Sequence, residues 1–190
     1  MSSESRARLF VAVQPVPAAV RGVEDAVQAL RGLACASELR WVPPEKLHFT
    51  LRFLGSVPVG LRGALAGVCE EVAKRHAPFD LTLSGGGAFP SQRRASVLWV
   101  GATDGADALC ALAEALGPGL DALGFEREAR AFKPHLTLAR SKRTLQLTAA
   151  VETLAAFRAA TAVRALLLVQ SHLGKPAARY EVLEQADLRG

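Results

Sequence analysis

Several residue types are scarce in this sequence. Its 190 residues include no isoleucine, no asparagine, one tyrosine, one methionine and three cysteines. The cysteines, Cys35, Cys69 and Cys110, are odd in number and widely spaced, and no two of them form a C-x-x-C pair. This pattern argues against a disulfide framework or a zinc site and favours reduced thiols. Cys69 and Cys110 lie in helical apolar patterns, so we interpret them as core residues rather than as nucleophiles.

Long apolar runs are also missing. No stretch approaches the roughly 18 apolar residues of a membrane span, and the N-terminal segment has no apolar centre of the kind found in a secretion signal. We therefore expect a cytoplasmic protein with no membrane contact. Half of the residues are apolar and 22% are charged, which is typical of a globular chain and not of a disordered one.

Positive charge exceeds negative charge. Lysine and arginine number 23 against 18 acidic residues, which gives a net charge of +5, and 18 of the cations are arginine. This balance favours an anionic partner such as nucleic acid. A GC-rich coding bias explains the same arginines without such a partner. Arg93, Arg94 and the cations of residues 175–179 are interpreted either as solvated charges or as part of a surface that follows an RNA chain.

Hydrophobic periodicity predicts alternating strands and helices with no linker between two units. Strands are predicted at residues 9–13, 47–54, 79–83, 95–101, 135–139, 163–171 and 179–183, the last two as an antiparallel pair. Helices are predicted at 18–32, from about 58 to 72, from 104 to 123 with Asp104 as the cap, and at 149–160. The run Gly85 to Gly87 lacks the context of a phosphate-binding loop and is interpreted as a tight turn. The order of elements in the first half is weakly repeated in the second.

The motif His-x-Thr-Leu occurs once in each half. The first copy contains His48 and Thr50, and the second contains His135 and Thr137, 87 residues later. Side chains alternate between the two faces of a strand. The spacing therefore predicts that His48, Thr50 and Arg52 share one face of their strand, and that His135 and Thr137 share one face of theirs.

Two such copies suit the cleavage of a phosphodiester. One neutral imidazole takes a proton from the attacking hydroxyl or water, and the other, protonated, donates to the leaving oxygen. An unperturbed imidazole pKa of about 6.5 allows both states near neutral pH. Each threonine hydroxyl can donate to a phosphate oxygen, and an arginine adds a planar charged fork. Since these groups meet the negative charge, we expect no metal and no cofactor.

Other readings of individual residues stay open. Two histidines can hold zinc only with a further ligand, and His76 and His172 have no matching motif. His76 is predicted to be exposed at the end of a helix. His172 is predicted at the surface, with an approach to the cleft as the alternative. Phe10 is interpreted as a core residue, with stacking on a base as the alternative.

With the two motifs in this context, the chain resembles the 2H phosphoesterase superfamily, specifically the bacterial and archaeal RNA 2′,3′-cyclic phosphodiesterases, also called 2′-5′ RNA ligases. The resemblance covers nearly the whole chain. The segments that carry it are residues 8–13, 41–43, 47–55, 87–90, 97–101, 132–140 and 168–171, followed by Tyr180.

The resemblance implies an α+β fold with pseudo-twofold symmetry, in which residues 1–190 form a single bilobal domain. Two small antiparallel sheets face a central cleft, and the helices lie outside. It also implies an activity: a terminal 2′,3′-cyclic phosphate on RNA is opened to a 2′-phosphomonoester. The reverse reaction joins a 5′-hydroxyl to a cyclic phosphate, with tRNA halves as one substrate. We expect a monomer.

The resemblance also assigns roles to residues. His48 corresponds to the proton donor and His135 to the proton acceptor, while Thr50 and Thr137 correspond to phosphate ligands. Arg140 corresponds to the basic residue that ends the second motif.

The cation of the site and the substrate stay open. Strict alternation points Arg140 away from His135 and favours Arg52 instead. Ser171 and Phe10 are further candidate substrate contacts. The alternatives are a non-catalytic RNA or nucleotide-binding module, or the same chemistry on a small cyclic nucleotide, ADP-ribose 1″,2″-cyclic phosphate or a 2′-5′ oligoadenylate.

Overall fold

The computed structural model describes residues 5–174 and 178–190, which form two antiparallel sheets flanked by helices. The strands are β1 (Arg6–Val13), β2 (Arg40–Trp41), β3 (Phe49–Pro58), β4 (Phe79–Ser91), β5 (Arg94–Ala102), β6 (His135–Leu145), β7 (Arg158–Val163), β8 (Ala165–His172) and β9 (Arg179–Asp187). The helices are α1 (Pro17–Leu30), α2 (Arg62–Ala73), α3 (Ala106–Ala115), α4 (Gly117–Ala122) and α5 (Thr148–Thr153).

The first sheet has the strand order β3-β1-β8-β9, and the second has the order β2-β6-β5-β4-β7. Neighbouring strands in both sheets pair in the antiparallel sense. Strand β3 lies at the edge of the first sheet and begins directly after His48 of the first motif. Strand β6 carries the second motif and lies beside the two-residue strand β2. The α+β class with two antiparallel sheets is thus confirmed.

Strand β1 shows how alternation separates the core from the second face of the sheet. Leu9, Val11 and Val13 enter the main core, which helices α1 and α2 cover. Phe10 and Ala12 point the other way and form a small separate cluster with Leu167 and Val169 of β8. Burial of the larger core stabilises the sheet against the helices, while the second face is left for the site.

The glycine run is not a tight turn, so that prediction is wrong. Gly85 to Gly87 lie inside β4, where the pairing with β5 shifts between Ser84 and Gly86 and Gly85 takes a φ of 64°. This is a bulge, in which glycine readily adopts the positive φ. At Gly87, a Cβ would lie 2.1 Å from the ring of Trp99, so the close approach of the indole requires glycine there.

Two further boundaries were predicted wrongly. The predicted helix at 149–160 ends at Thr153, and its last residues belong to β7. The predicted strand at 163–171 is divided at Arg164 between β7 and β8, which lie in different sheets. The short apolar runs there fit a helix or a strand, and only the pairing with β4 selects the strand.

The third long helix also differs from its prediction. The apolar stripe over 104–123 is carried by two helices, α3 and α4, which meet at Leu116. The N-cap of α3 is Gly105, with a φ of 79°, and no side chain donates or accepts a capping hydrogen bond there. Asp104 therefore does not cap the helix.

The interpretation of Cys69 and Cys110 as core residues is right for Cys69, which is buried in the core, and wrong for Cys110, which is half-buried and not part of the core. All three cysteines are free, and burial raises the pKa of the Cys69 thiol to about 12, which makes it inert as a nucleophile. In the part of the chain that the structure describes, no helix combines the length and apolar character that a membrane crossing requires.

Candidate active site

Both motifs line one cleft, of about 360 Å³. The first sheet and its loops contribute His48, Thr50 and Phe53, and the second contributes His135, Thr137 and Arg140. The other lining residues are Arg8, Phe10, Val42, Lys46, Ser171, Leu173, Ala178 and Tyr180. Among the described lining residues none is acidic, so the cleft is suited to an anion.

The two imidazoles are held by the same type of hydrogen bond. Nδ1 of His48 lies 2.7 Å from the carbonyl oxygen of Lys46, and Nδ1 of His135 lies 2.7 Å from the carbonyl oxygen of Lys133. A carbonyl oxygen only accepts hydrogen bonds, so each Nδ1 is the protonated nitrogen and donates. In both rings Nε2 is therefore the nitrogen left to exchange a proton with a substrate.

Aromatic side chains surround each imidazole. The His48 ring centroid lies 4.9 Å from that of Phe10 and 5.3 Å from that of Tyr180. The His135 centroid lies 5.1 Å from that of Phe89 and 6.1 Å from that of Trp99. These contacts, together with the carbonyl bonds, fix the orientation of both rings.

Both histidines have a lowered pKa. Burial is the largest cause for His48, and the charges of Arg140 and His135 lower its pKa further, while the bond to the Lys46 carbonyl raises it. Burial also dominates the lowered pKa of His135, with Arg140 and Lys133 adding to it against the opposing bond to the Lys133 carbonyl. Both shifts favour the neutral form of the imidazole in the free protein. A bound anion would favour protonation of either ring.

A bulge follows the threonine of each motif. On β3, Thr50 lies opposite Ala12 and Arg52 opposite Val11, so Leu51 is the extra residue. On β6, Thr137 lies opposite Trp99 and Ala139 opposite Leu98, so Leu138 is the extra residue. A bulge interrupts strict alternation. Residues after each threonine therefore face differently from the prediction.

These bulges decide which arginine lines the cleft. Arg52 turns away from Thr50: it donates to the carbonyl oxygen of Glu126, and its Nε lies 4.0 Å from Oε1 of Glu128. Arg140 instead lines the cleft beside His135 and Thr137. The prediction that Arg52 shares a face with His48 is thus wrong, as is the prediction that Arg140 points away.

The remaining candidates from the sequence divide between the cleft and the surface. Ser171 and Phe10 line the cleft, but Phe10 is only 3% exposed, which leaves little of its ring for a base. His172 lies outside the lining and bonds through Nε2 to Glu181 at 2.7 Å. Arg93 and Arg94 lie exposed at the β4–β5 turn.

His76 is half-buried rather than exposed, and its Nδ1 donates to the carbonyl oxygen of Val72 at 2.8 Å. Lys175 lies outside the described residues. Within 5–174 and 178–190, no three histidine, cysteine or acidic side chains are grouped as a metal site would require.

Seven cleft residues were not predicted as site residues: Arg8, Val42, Lys46, Phe53, Leu173, Ala178 and Tyr180. A signal was present for Phe53, which follows His48 by five residues as Arg140 follows His135. A signal was also present for Lys46, which precedes His48 by two residues as Lys133 precedes His135. The others come from separate strands or loops, and no local pattern connects them to the motifs.

Comparison with known proteins places this cleft in a family. The chain is 34% identical over 194 residues to an RNA 2′,3′-cyclic phosphodiesterase of Thermus thermophilus, which covers 96% of this chain and 91% of that protein. It is 38% identical over 136 residues to an Archaeoglobus fulgidus protein of the same name, covering 72% and 73%. In three other relatives of that name, the matched part of the chain spans 66%, 55% and 32% of their length.

The fold is also that of a solved relative. The crystal structure of Escherichia coli LigT complexed with 3′-AMP superposes with a TM-score of 0.78 at 25% identity, covering 98% of this chain and 100% of that one. A sequence model of the 2′-5′ RNA ligase superfamily matches residues 15–175. On this evidence the chain belongs to the 2′-5′ RNA ligase superfamily, the group of 2H phosphoesterases that its paired motifs resemble.

Proposed function

We propose that this protein is an enzyme that hydrolyses RNA 2′,3′-cyclic phosphate ends to 2′-phosphomonoesters by two-histidine acid–base catalysis without a metal. The observation that carries the proposal is the pair of imidazoles in one cleft, each bonded through Nδ1 and each accompanied by a threonine. A binding protein needs no pair of proton-transfer groups. The relatives named RNA 2′,3′-cyclic phosphodiesterase support the substrate class.

In the proposed reaction, Nε2 of His135 takes a proton from water while the water oxygen forms a bond to phosphorus. The bond from phosphorus to the 3′ oxygen breaks, and Nε2 of His48 donates its proton to that oxygen. The product carries a 2′-phosphate and a 3′-hydroxyl. The two histidines exchange protonation states in each turnover, and solvent restores them.

Three groups stabilise the phosphate in this proposal. The hydroxyls of Thr50 and Thr137 donate to its non-bridging oxygens, and the guanidinium of Arg140 lies beside the same oxygens as a bidentate donor. The phosphate charge also offsets the effect of burial and of Arg140 on His48, so substrate binding favours the protonated state that the acid requires.

Ligation uses the same groups with another nucleophile. When a 5′-hydroxyl occupies the position of water, its attack on the cyclic phosphate breaks the bond to the 3′ oxygen and gives a 2′-5′ linkage. We propose this ligase activity as the minor reaction, because water at its solvent concentration competes with the 5′-hydroxyl. RNA ends such as those of tRNA halves carry the required groups.

The test is a panel of substrates incubated with the protein with and without EDTA. We expect hydrolysis of oligonucleotides that end in a 2′,3′-cyclic phosphate, a product phosphorylated at the 2′ oxygen, and no loss of rate with EDTA. Phosphorus NMR of the product distinguishes the 2′ from the 3′ ester. Salt-dependent RNA binding without turnover would instead indicate a binding module, and a 3′-phosphate product would contradict the assigned direction.

A further inference from the structure

Arg8 is a cation in the cleft that the proposed chemistry does not use. It lies on β1, on the same face as Phe10 and Ala12, and lines the cleft together with Phe10. Its guanidinium carbon lies 4.5 Å from the centre of the Phe53 ring. Across residues 5–174 and 178–190, no carboxylate approaches this guanidinium within 4.0 Å. Its charge is therefore available to a ligand.

The position of Arg8 separates it from the phosphate that reacts. Ala12 lies opposite Thr50, and Arg8 lies four residues away from Ala12 on the same strand. At about 3.3 Å per residue, this places the two Cα atoms about 13 Å apart. A phosphate held by Thr50 and Thr137 lies at the far end of that span, so Arg8 is placed for a second anionic group.

Phe53 orients the Arg8 guanidinium for binding this second anionic group. The ring lies against the planar cation and restricts its rotation, which reduces the entropy lost on binding a phosphate. The Phe53 side chain is still 43% exposed. An arginine beside an exposed aromatic ring is the combination that binds the backbone and bases of single-stranded nucleic acids.

We propose that the Arg8–Phe53 pair is a subsite for the phosphodiester one nucleotide upstream of the cyclic phosphate. This inference rests on the proposed function and narrows it. The preferred substrate is an oligonucleotide of two or more nucleotides, whereas a mononucleoside 2′,3′-cyclic phosphate leaves the subsite unused. Arg8 is then a specificity-determining residue, separate from the groups that act on the reacting phosphate.

The experiment compares two substrates, a nucleoside 2′,3′-cyclic phosphate and a dinucleotide that ends in one. We expect Arg8→Gln to lower kcat/KM for the dinucleotide about tenfold or more, as for a lost hydrogen bond to a charged group, and to leave the mononucleotide unchanged. The slope of log kcat/KM against log salt should fall by about 0.7 for the dinucleotide alone, because one phosphate contact is lost. Phe53→Leu should give a smaller loss in the same direction.

Arg6 offers a matched control. It lies two residues earlier on β1, bonds to Ser56 and does not line the cleft, so Arg6→Gln should change neither substrate. Arg8→Lys keeps the charge and should restore part of the dinucleotide rate. Thermal melting of each variant shows that the fold is kept.

Equal losses on both substrates, or no loss on either, would overturn the subsite. The proposed function fails separately, if the wild-type protein turns over neither substrate. In that case equilibrium binding of the same two molecules decides the inference: dinucleotide binding weakened about tenfold by Arg8→Gln supports it, and unchanged binding refutes it.

Discussion

The two copies of the motif agree up to the leucine that follows the threonine and differ after it. Both have a histidine bonded to the carbonyl of the residue two positions earlier, and both have a bulged leucine after the threonine. The following two residues are Arg52 and Phe53 in the first copy, but Ala139 and Arg140 in the second. The first copy therefore turns its arginine outward and its aromatic ring inward, while the second turns an arginine inward.

The two copies therefore share the groups proposed to transfer protons, but they differ in the side chains proposed to bind the substrate. In the proposed reaction, one imidazole lies on each side of the phosphate, and the two copies supply them alike. In the same proposal, Arg140 of the second copy is the arginine that binds the reacting phosphate. The position in the first copy that matches Arg140 is Phe53, and we assign it a different role, which is to form the proposed subsite together with Arg8.

The largest effect is expected when either histidine is removed. His48→Ala and His135→Ala should each lower kcat by about 100- to 10,000-fold, since each group transfers a proton in the transition state. The remaining rate should lose the alkaline limb of its pH profile in His48→Ala and the acidic limb in His135→Ala. His76→Ala is the control and should keep full activity, because His76 lies just beyond the end of helix α2 and does not line the cleft. If the two limbs respond the other way round, the acid and base assignments are reversed.

The next largest effect on kcat/KM is expected for Arg140, with almost none for Arg52. Arg140→Gln should lower kcat/KM about 10- to 100-fold, because it removes a charged donor from the phosphate. Arg52→Gln should stay within about twofold, since its side chain bonds to the Glu126 carbonyl outside the cleft. Steady-state kinetics on a dinucleotide that ends in a cyclic phosphate measure both effects. An equal loss in both variants would mean that the bulge on β3 does not exclude Arg52 from the site.

Arg140→Gln should also move the pH profile. Since the charge of Arg140 lowers the pKa of both histidines, its removal should shift both imidazole titrations to higher pH. Proton NMR of the imidazole C2 protons measures this in the free protein. A shift of one ring only would show that Arg140 lies close to that ring and far from the other.

The two threonines should be equivalent. Thr50→Val and Thr137→Val each remove one donor to the phosphate at nearly constant volume, and each should cost about tenfold in kcat/KM. Serine in place of either threonine should restore most of the activity. Markedly unequal losses would show that the phosphate lies nearer to one sheet.

The smallest effect concerns stability at acid pH. Both histidines have a lower pKa folded than unfolded, where it is about 6.5. The unfolded chain therefore binds more protons just below pH 6.5, and the free energy of unfolding falls as the pH drops through that window. The decline ends below the folded pKa of each ring. Each histidine contributes at most about 1.4 kcal/mol per pH unit. Urea unfolding of His48→Gln and His135→Gln should each show a shallower pH dependence than the parent protein.

Much of the fold and the centre of the site followed from local patterns. Strands β1, β3, β5 and β6 and helices α1 and α2 were predicted near their observed positions, because their apolar spacing is regular over several residues. The misplaced elements, β4 and β7 above all, have short apolar runs or glycines whose conformation depends on the neighbouring strand. The single bilobal domain over residues 1–190, the cytoplasmic location and the monomeric state stay predictions.

By itself, the sequence determined the paired histidines and threonines and the family to which they belong, because a motif repeated in two strands needs no three-dimensional information. Only the tertiary structure decided what completes the cleft. A bulge is a mismatch between two paired strands, so the residues of one strand cannot reveal it. That mismatch turned Arg52 outward, brought Arg140 and Phe53 to the cleft, and placed Arg8 beside them from another strand.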